Sequence, residues 1–150
     1  MTMSLDGFVN DREGGVGALY HDLDALRRTE PLRESIANTG AVVMGRKAFA
    51  MVEDPDSFAG NYEYQVPIFV LTHAAPKRHP KETGALTFTF VTDGIEIAIR
   101  QARGAAGAKD VTVIGGAMTA ADRVQLERIG AMELPSGRTH LEFRVLTTRA

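Results

Sequence analysis

Val111-Thr112-Val113-Ile114-Gly115-Gly116-Ala117-Met118-Thr119 is the stretch on which the reading of this chain turns. Four residues at home in a strand run straight into two glycines, and Thr119 offers an N-cap oxygen to whatever follows. A buried strand that ends in Gly-Gly lets a ligand approach main chain that carries no side chains. A helix beginning there would aim bare N–H groups and a positive dipole end at the same point, which suits a pyrophosphate. A tight strand-to-helix turn, needing glycine only for its dihedrals, would be spelled the same way. The stretch alone leaves both readings open.

Upstream, the same form recurs. Ala41-Val42-Val43-Met44 runs into Gly45-Arg46-Lys47, and Pro67-Ile68-Phe69-Val70-Leu71 ends at Thr72-His73. Continuous apolar runs of this length are strands buried on both faces, as in parallel sheets. Leu86 to Val91 is rich in β-favouring residues and reads as another strand. Helical spacing lies between the strands. Leu19, Leu23 and Leu26 predict one helix through Ala18–Arg28, and Pro31 opens a second, carrying Leu32 and Ile36 and closed by Gly40. A short helix with Phe49 follows Gly45-Arg46-Lys47. Asp93 and Glu96 form a reciprocal helix start, Ile95, Ile99 and Ala102 give its apolar face, and Gly104 ends it. Residues 53–64 and 74–84 read as loops. Strands alternating with helices imply crossover connections and a largely parallel sheet. The C-terminus departs from this pattern. Leu141, Phe143 and Val145 alternate with His140, Glu142 and Arg144, so 126–134 and 138–146 are expected to form a hairpin added antiparallel to the sheet edge.

The 150 residues suit a single domain spanning 1–150. Net charge is −2, which argues against a nucleic-acid partner. There is no cysteine, which excludes disulfides, thiol catalysis and Cys–zinc sites and fits a reducing cytoplasm. Met1 to Asp6 has neither a charged leader pattern nor a long apolar run, and no stretch reaches membrane-spanning length. A cytoplasmic protein without membrane contact is expected.

Candidate chemistry gathers where strands end. Gly45-Arg46-Lys47, Thr72-His73 and Gly115-Gly116 should converge on one rim, because ligands of open α/β sheets sit beyond the carboxyl ends of the strands. Together they offer main-chain N–H groups, a hydroxyl and cations, an inventory that suits a phosphorylated ligand. Lys77 and Arg78 could extend the positive region. His21, His73, His79 and His140 show no metal-site spacing, so no metal is expected. Asp22 and Asp24, near Arg27 and Arg28, read as pairing on a helix surface, and Asp54 and Asp56 as solvated loop acids.

With Ser4-Leu5-Asp6-Gly7, Met44-Gly45-Arg46-Lys47 and Val113-Ile114-Gly115-Gly116 in this order, the chain resembles the dihydrofolate-reductase-like superfamily. It is more similar to the branch that holds the reductase domain of bacterial riboflavin biosynthesis. The likeness runs from Met1 to about Ala121 and returns over the last hairpin. It implies an α/β fold with a mixed, mostly parallel sheet flanked by helices and a C-terminal antiparallel hairpin, binding NADPH in an extended form. On that resemblance Gly45, Arg46 and Lys47 lie near the adenosine phosphates, with Arg46 or Lys47 favouring the 2′-phosphate. Leu71 and Thr72 line the adenosine side, and Gly115, Gly116, Ala117, Met118 and Thr119 wrap the pyrophosphate. Ser4, Leu5, Gly7 and Phe8 border the nicotinamide and the substrate. Asp6 would position the substrate or relay a proton, although a turn-forming role before Gly7 accounts for it equally well. The implied activity is hydride transfer to a pterin-, pyrimidine- or related heterocyclic small molecule, by a homodimer. The alternative is a non-catalytic NADP-binding module, or degenerate paralogue, that keeps the cleft without turnover. None of Asp22, Asp24 and Glu30 falls where the folate-reducing enzymes place their pterin-binding acid.

Two departures from the superfamily stand out. Only Met1-Thr2-Met3 precede Ser4, where a full strand is usual. After Thr119-Ala120-Ala121-Asp122 the chain moves almost at once to Leu126, where a further strand and a glycine-rich loop are usual. Either a strand is deleted or a stretch near 121–124 is omitted. Omission is the better reading, because loss of an internal strand would bare an edge and uncover core.

Overall fold

Thr39–Gly45 (β1), Ile68–Leu71 (β2), Phe88–Val91 (β3) and Asp110–Ile114 (β4) form one sheet in the order β3-β2-β1-β4, every neighbouring pair parallel. The structure, a computed structural model, describes residues 11–13, 15–115, 125–134 and 137–146. These fall into two units, one holding the described residues from 35 to 115 and the other those of 11–34 and 125–146.

In the first unit, the apolar run of β1 is buried on both faces. Ala41, Val42 and Val43 have no exposure and Met44 has 2%. One face is covered by helix α5 (Ile95–Ala106), whose Ala98, Ala102 and Ala106 pack on Ala41, Val43, Phe69 and Val91. Side chains of opposite parity point to the other face. There Phe49, at the end of the short helix α3 (Arg46–Phe49), stacks on Phe58 at 5.5 Å. It also meets Phe88 and Phe90 edge-on at 5.9 and 5.5 Å. Phe58 opens the short segment α4 (Phe58–Asn61), in which Ala59 (ψ 106°) and Gly60 (φ +83°) are not helical, so residues 53–64 are largely irregular, as expected. A 3-10 turn at Pro55–Ser57 precedes it, capped by the Asp54 carboxylate on the Asp56 N–H.

Three helix boundaries differ from those expected. Helix α5 does not stop at Gly104 but runs to Ala106 and ends at Gly107, which has φ +63°. The buried alanine stripe outweighs the roughly 1 kcal/mol cost of an internal glycine. Gly40 does not close the preceding helix α2 (Glu30–Asn38) but lies inside β1. A Cβ there would sit 2.6 Å from the Ala106 carbonyl oxygen and 2.8 Å from Lys109 Cβ, so this glycine allows α5 to approach the sheet. Asp93 and Glu96 do not form a capping box. Gly94, with φ +97°, takes the N-cap position with no side-chain cap, leaving Asp93 one residue outside the helix.

Polar contacts fix the ends of these elements. Thr39 Oγ1 donates to the Ser35 carbonyl and meets Thr112 Oγ1, both at 2.6 Å. Lys109 Nζ donates to the Ala37 carbonyl at 2.8 Å, placing a cation on the C-terminal turn of α2. At the outer edge of β3, Glu82 Oε1 accepts from the Phe88 N–H at 2.7 Å, and His79 Nε2 lies 3.3 Å from the Phe88 carbonyl. These side chains occupy backbone groups that would otherwise offer themselves to another strand.

In the second unit, Gln125–Glu133 (β5) and Thr139–Leu146 (β6) pair antiparallel, with Arg128 opposite Phe143 and Ala131 opposite Leu141. The hairpin is where it was expected, but its strands pair with each other and with no other described strand. Alternation specifies the partner of each hairpin strand and carries no information about a third. The single helix expected over 18–28 is a 3-10 turn at Gly17–Leu19 followed by α1 (Leu23–Arg27). Arg138 accounts for the break. Its guanidinium takes the Leu19 carbonyl, which an unbroken helix would give to the Leu23 N–H, and Leu23 turns instead to the Tyr20 carbonyl at 3.2 Å. Arg138 Nε also donates to both Asp22 oxygens, at 3.0 and 2.8 Å. Asp22 is therefore not a helix-surface acid, although Asp24 does pair with Arg27 at 3.6 Å. The hydrogen bond to Asp22 holds the Arg138 guanidinium above its usual range, against the opposing effect of burial.

Two stability predictions follow from these contacts. Gly40→Ala should cost about 1–3 kcal/mol through overpacking, whereas Gly104→Ala, which meets open space, should add about 0.5–1 kcal/mol. Urea denaturation followed by circular dichroism gives both signs, and equal signs would refute the close approach of α5. Arg138→Met should cost about 3 kcal/mol, because it removes the charge-assisted bonds that Arg138 gives to an Asp22 whose side chain is 14% exposed. An arginine whose folded pKa is raised stabilises fully below its ordinary value and loses that contribution as pH rises through its folded value. Protonation of Arg138 itself should therefore add no pH dependence through the neutral range, as melts of wild type at several pH values would show.

Candidate functional site

Because β1 to β4 are all parallel, their carboxyl ends share one rim. Gly45 is level with Leu71, and Leu71 with Val91. Met44 is level with Ile114, so Gly45 and Gly115 leave the sheet side by side. The chain steps from β1 to β2 to β3 in one direction, and α5 then returns it to the opposite side of β1. The strand order thus reverses at the β1–β4 pair. In open α/β sheets such a reversal of strand order is where ligands commonly bind.

Both residues at the reversal are glycines. Gly45 is extended, with φ −76° and ψ 155°, and acts as the N-cap of α3 with no side-chain cap bond. Gly115 has φ +148°, a conformation that a residue with a Cβ rarely adopts. Arg46 and Lys47 follow directly. Both are exposed, and neither makes a side-chain hydrogen bond or ion pair among the described residues. On the other side of Gly45, Leu71 is half-buried and Thr72 is 7% exposed. Thr72 is tied inward, its N–H donating to the Val91 carbonyl at 3.0 Å. Its Oγ1 donates to the Ala74 carbonyl at 2.9 Å and accepts from the Ala74 N–H at 3.3 Å. Of the residues singled out from the sequence, Gly45, Arg46, Lys47, Leu71, Thr72 and Gly115 stand on this rim. Ser4, Leu5, Asp6, Gly7, Phe8, Gly116, Ala117, Met118 and Thr119 lie outside the described residues.

Arg78 does not extend the positive region. It pairs with Asp56 and lies 3.9 Å from Asp54, while Asp56 also accepts from the Lys81 N–H at 2.8 Å. Those two acids are therefore spent on the loop after β2. Thr92 and Asp93, at the carboxyl end of β3, share the rim, although the sequence pattern assigns Asp93 only to a helix start. The strand order would have found them, since a fourth parallel strand ends on the same edge. No group of three or more His, Asp or Glu suited to a metal occurs among the described residues, nor does any helix long and apolar enough to cross a membrane.

Over 97% of its length, covering 96% of the other chain, the protein is similar to the crystal structure of a "putative riboflavin biosynthesis protein" from Shewanella sp. PV-4, with TM-score 0.64 and 18% identity. The fold is of the dihydrofolate-reductase-like kind. No family model matches the chain, and no curated protein does. Within this fold the rim just described is the carboxyl edge of the parallel sheet, with its strand order reversing between β1 and β4.

The two bonds of the Thr72 hydroxyl make it a fastener of its own turn. Thr72→Val should lower stability by about 1 kcal/mol and Thr72→Ser should restore it. An unchanged melting temperature in Thr72→Val would return the hydroxyl to the set of groups free for a ligand.

Proposed function

We propose that this chain binds NADPH along the carboxyl rim and reduces a pterin-, pyrimidine- or related heterocyclic compound by hydride transfer. One observation carries the reading: Gly45 and Gly115 stand together at the reversal of strand order, with the uncommitted Arg46 and Lys47 beside them. Two neighbouring strand ends without Cβ atoms leave room for a pyrophosphate to reach main-chain N–H groups. Arg46 and Lys47 supply the charge that an additional phosphate requires. Leu71 offers apolar surface for an adenosine. The name of the structural neighbour, a "putative riboflavin biosynthesis protein", supports the coarser reading of a biosynthetic enzyme.

Bound NADPH would supply the hydride, and the protein's share is to hold donor and acceptor in near-attack geometry and to manage one proton. The proposal gives Gly116 to Thr119 to the pyrophosphate, Ser4, Leu5, Gly7 and Phe8 to the substrate side, and Asp6 to the proton. A binding module without turnover would use the same rim, and measurement separates the two.

Saturating NADPH, at a hundred times its Kd, should stabilise the protein by about 2.7 kcal/mol. Loss of NADPH absorbance with a panel of pteridines and aminopyrimidines distinguishes the reductase from the silent module. The double variant Arg46→Ala/Lys47→Ala should weaken NADPH about tenfold or more and NADH far less, since only NADPH carries the 2′-phosphate. Equal losses for both would remove these residues from the phosphate site, and no thermal shift in the wild type would end the proposal.

A further inference from the structure

We infer that Asp93 reads the adenine of the dinucleotide, accepting a hydrogen bond from its 6-amino group and so selecting adenine over bases that carry an oxygen there. The inference rests on the NADPH reading above and extends it to the far end of the ligand. Three observations place the residue. Leu71 is level with Val91 and the Thr72 N–H is bonded to the Val91 carbonyl, so the ends of β2 and β3 leave the sheet together. Asp93 follows two residues after Val91, on the rim that holds Gly45 and Gly115. Among the described residues that directly follow the four strands, it is the acid, where Arg46 and Lys47 are cations.

The carboxylate is also uncommitted. The sequence pattern assigns it to capping α5, yet Gly94 holds that position and no side-chain cap bond forms. Asp93 is exposed and makes no hydrogen bond or ion pair among the described residues. An extended dinucleotide with its pyrophosphate at Gly45 and Gly115 and its 2′-phosphate at Arg46 has its adenine beyond β1, over the ends of β2 and β3. Two strand spacings, about 10 Å, separate the β1 end from the β3 end. That distance keeps Asp93 clear of the phosphates and brings it to the base. At that point half-buried Leu71 supplies apolar contact and Asp93 an acceptor-only group. Adenine presents a donor at its 6-position, and hypoxanthine presents an acceptor that a carboxylate repels.

The test compares NADPH with its hypoxanthine analogue, titrated separately into wild type, Asp93→Ala and Asp93→Asn while nicotinamide fluorescence is followed. Wild type should bind NADPH about tenfold more tightly than the analogue, the scale of one charge-assisted hydrogen bond. Asp93→Ala should bring the two affinities together by weakening NADPH. Asp93→Asn, whose amide can donate to the analogue's oxygen, should also lose the preference. Equal affinities in wild type, or a preference unchanged in both variants, overturns the role of Asp93 and leaves the NADPH reading standing. Failure of wild type to bind either dinucleotide overturns that reading and this inference with it. Melting curves of the variants confirm that each is folded before its affinity is compared.

Discussion

The structure around the rim depends on one close approach, that of α5 to β1. A helix packed on a sheet through Leu or Phe stands off by the size of those side chains. Here the contact residues are Ala98, Ala102 and Ala106, and opposite the last of them β1 presents Gly40. A Cβ at Gly40 would meet the Ala106 carbonyl oxygen at 2.6 Å, inside any acceptable contact. This helix is also the connection that returns the chain past β1 and lays β4 on its far side. The adjacency of Gly45 and Gly115 follows from how α5 is seated. Packing far from the rim therefore determines the rim.

The opposite face is built on a different principle. There the contacts are large rings, with Phe49 stacked on Phe58 and edge-on to Phe88 and Phe90. Helix α3 has only four residues, too few to persist by itself. Phe49, 8% exposed, anchors it. The same anchor fixes the backbone that carries Arg46 and Lys47, so a buried aromatic cluster positions two exposed cations. Small residues on one face and rings on the other let a four-stranded sheet be covered on both sides by short elements.

How much of this was legible in the sequence depended on whether the determining contact was local. The strands were legible, because Ala41 to Met44 and Ile68 to Leu71 are continuous apolar runs that only a doubly covered strand explains. Their gathering on one rim was legible too, given parallel strands. The helix boundaries were less so. Gly104 reads as a stop, yet the alanine stripe continues past it, and nothing local shows that the stripe faces a glycine in β1. Residues 18–28 read as one helix because Leu19, Leu23 and Leu26 keep the period. The residue that breaks that helix, Arg138, is distant in sequence, and only its bonds to Asp22 and to the Leu19 carbonyl show why. Asp93 is a related case: a carboxylate two residues before Ile95 looks like a cap until the dihedrals of Gly94 are known.

Charge illustrates the same distinction between inventory and placement. The chain as a whole is slightly acidic, at −2, and composition alone would not direct attention to an anionic ligand. Arg78 is surrounded by Asp54 and Asp56 and contributes little field beyond its own loop. Arg46 and Lys47 have no such partners among the described residues and stand beside strand ends that carry no side chains. Within a Debye length of roughly 8–10 Å, uncompensated charges set the local potential, and the distant balance of the chain is screened. Among the described residues the end of β1 therefore carries two cations and the end of β3 carries Asp93. The rim is polarised along its length, a property that depends on which acids are already occupied and not on how many there are.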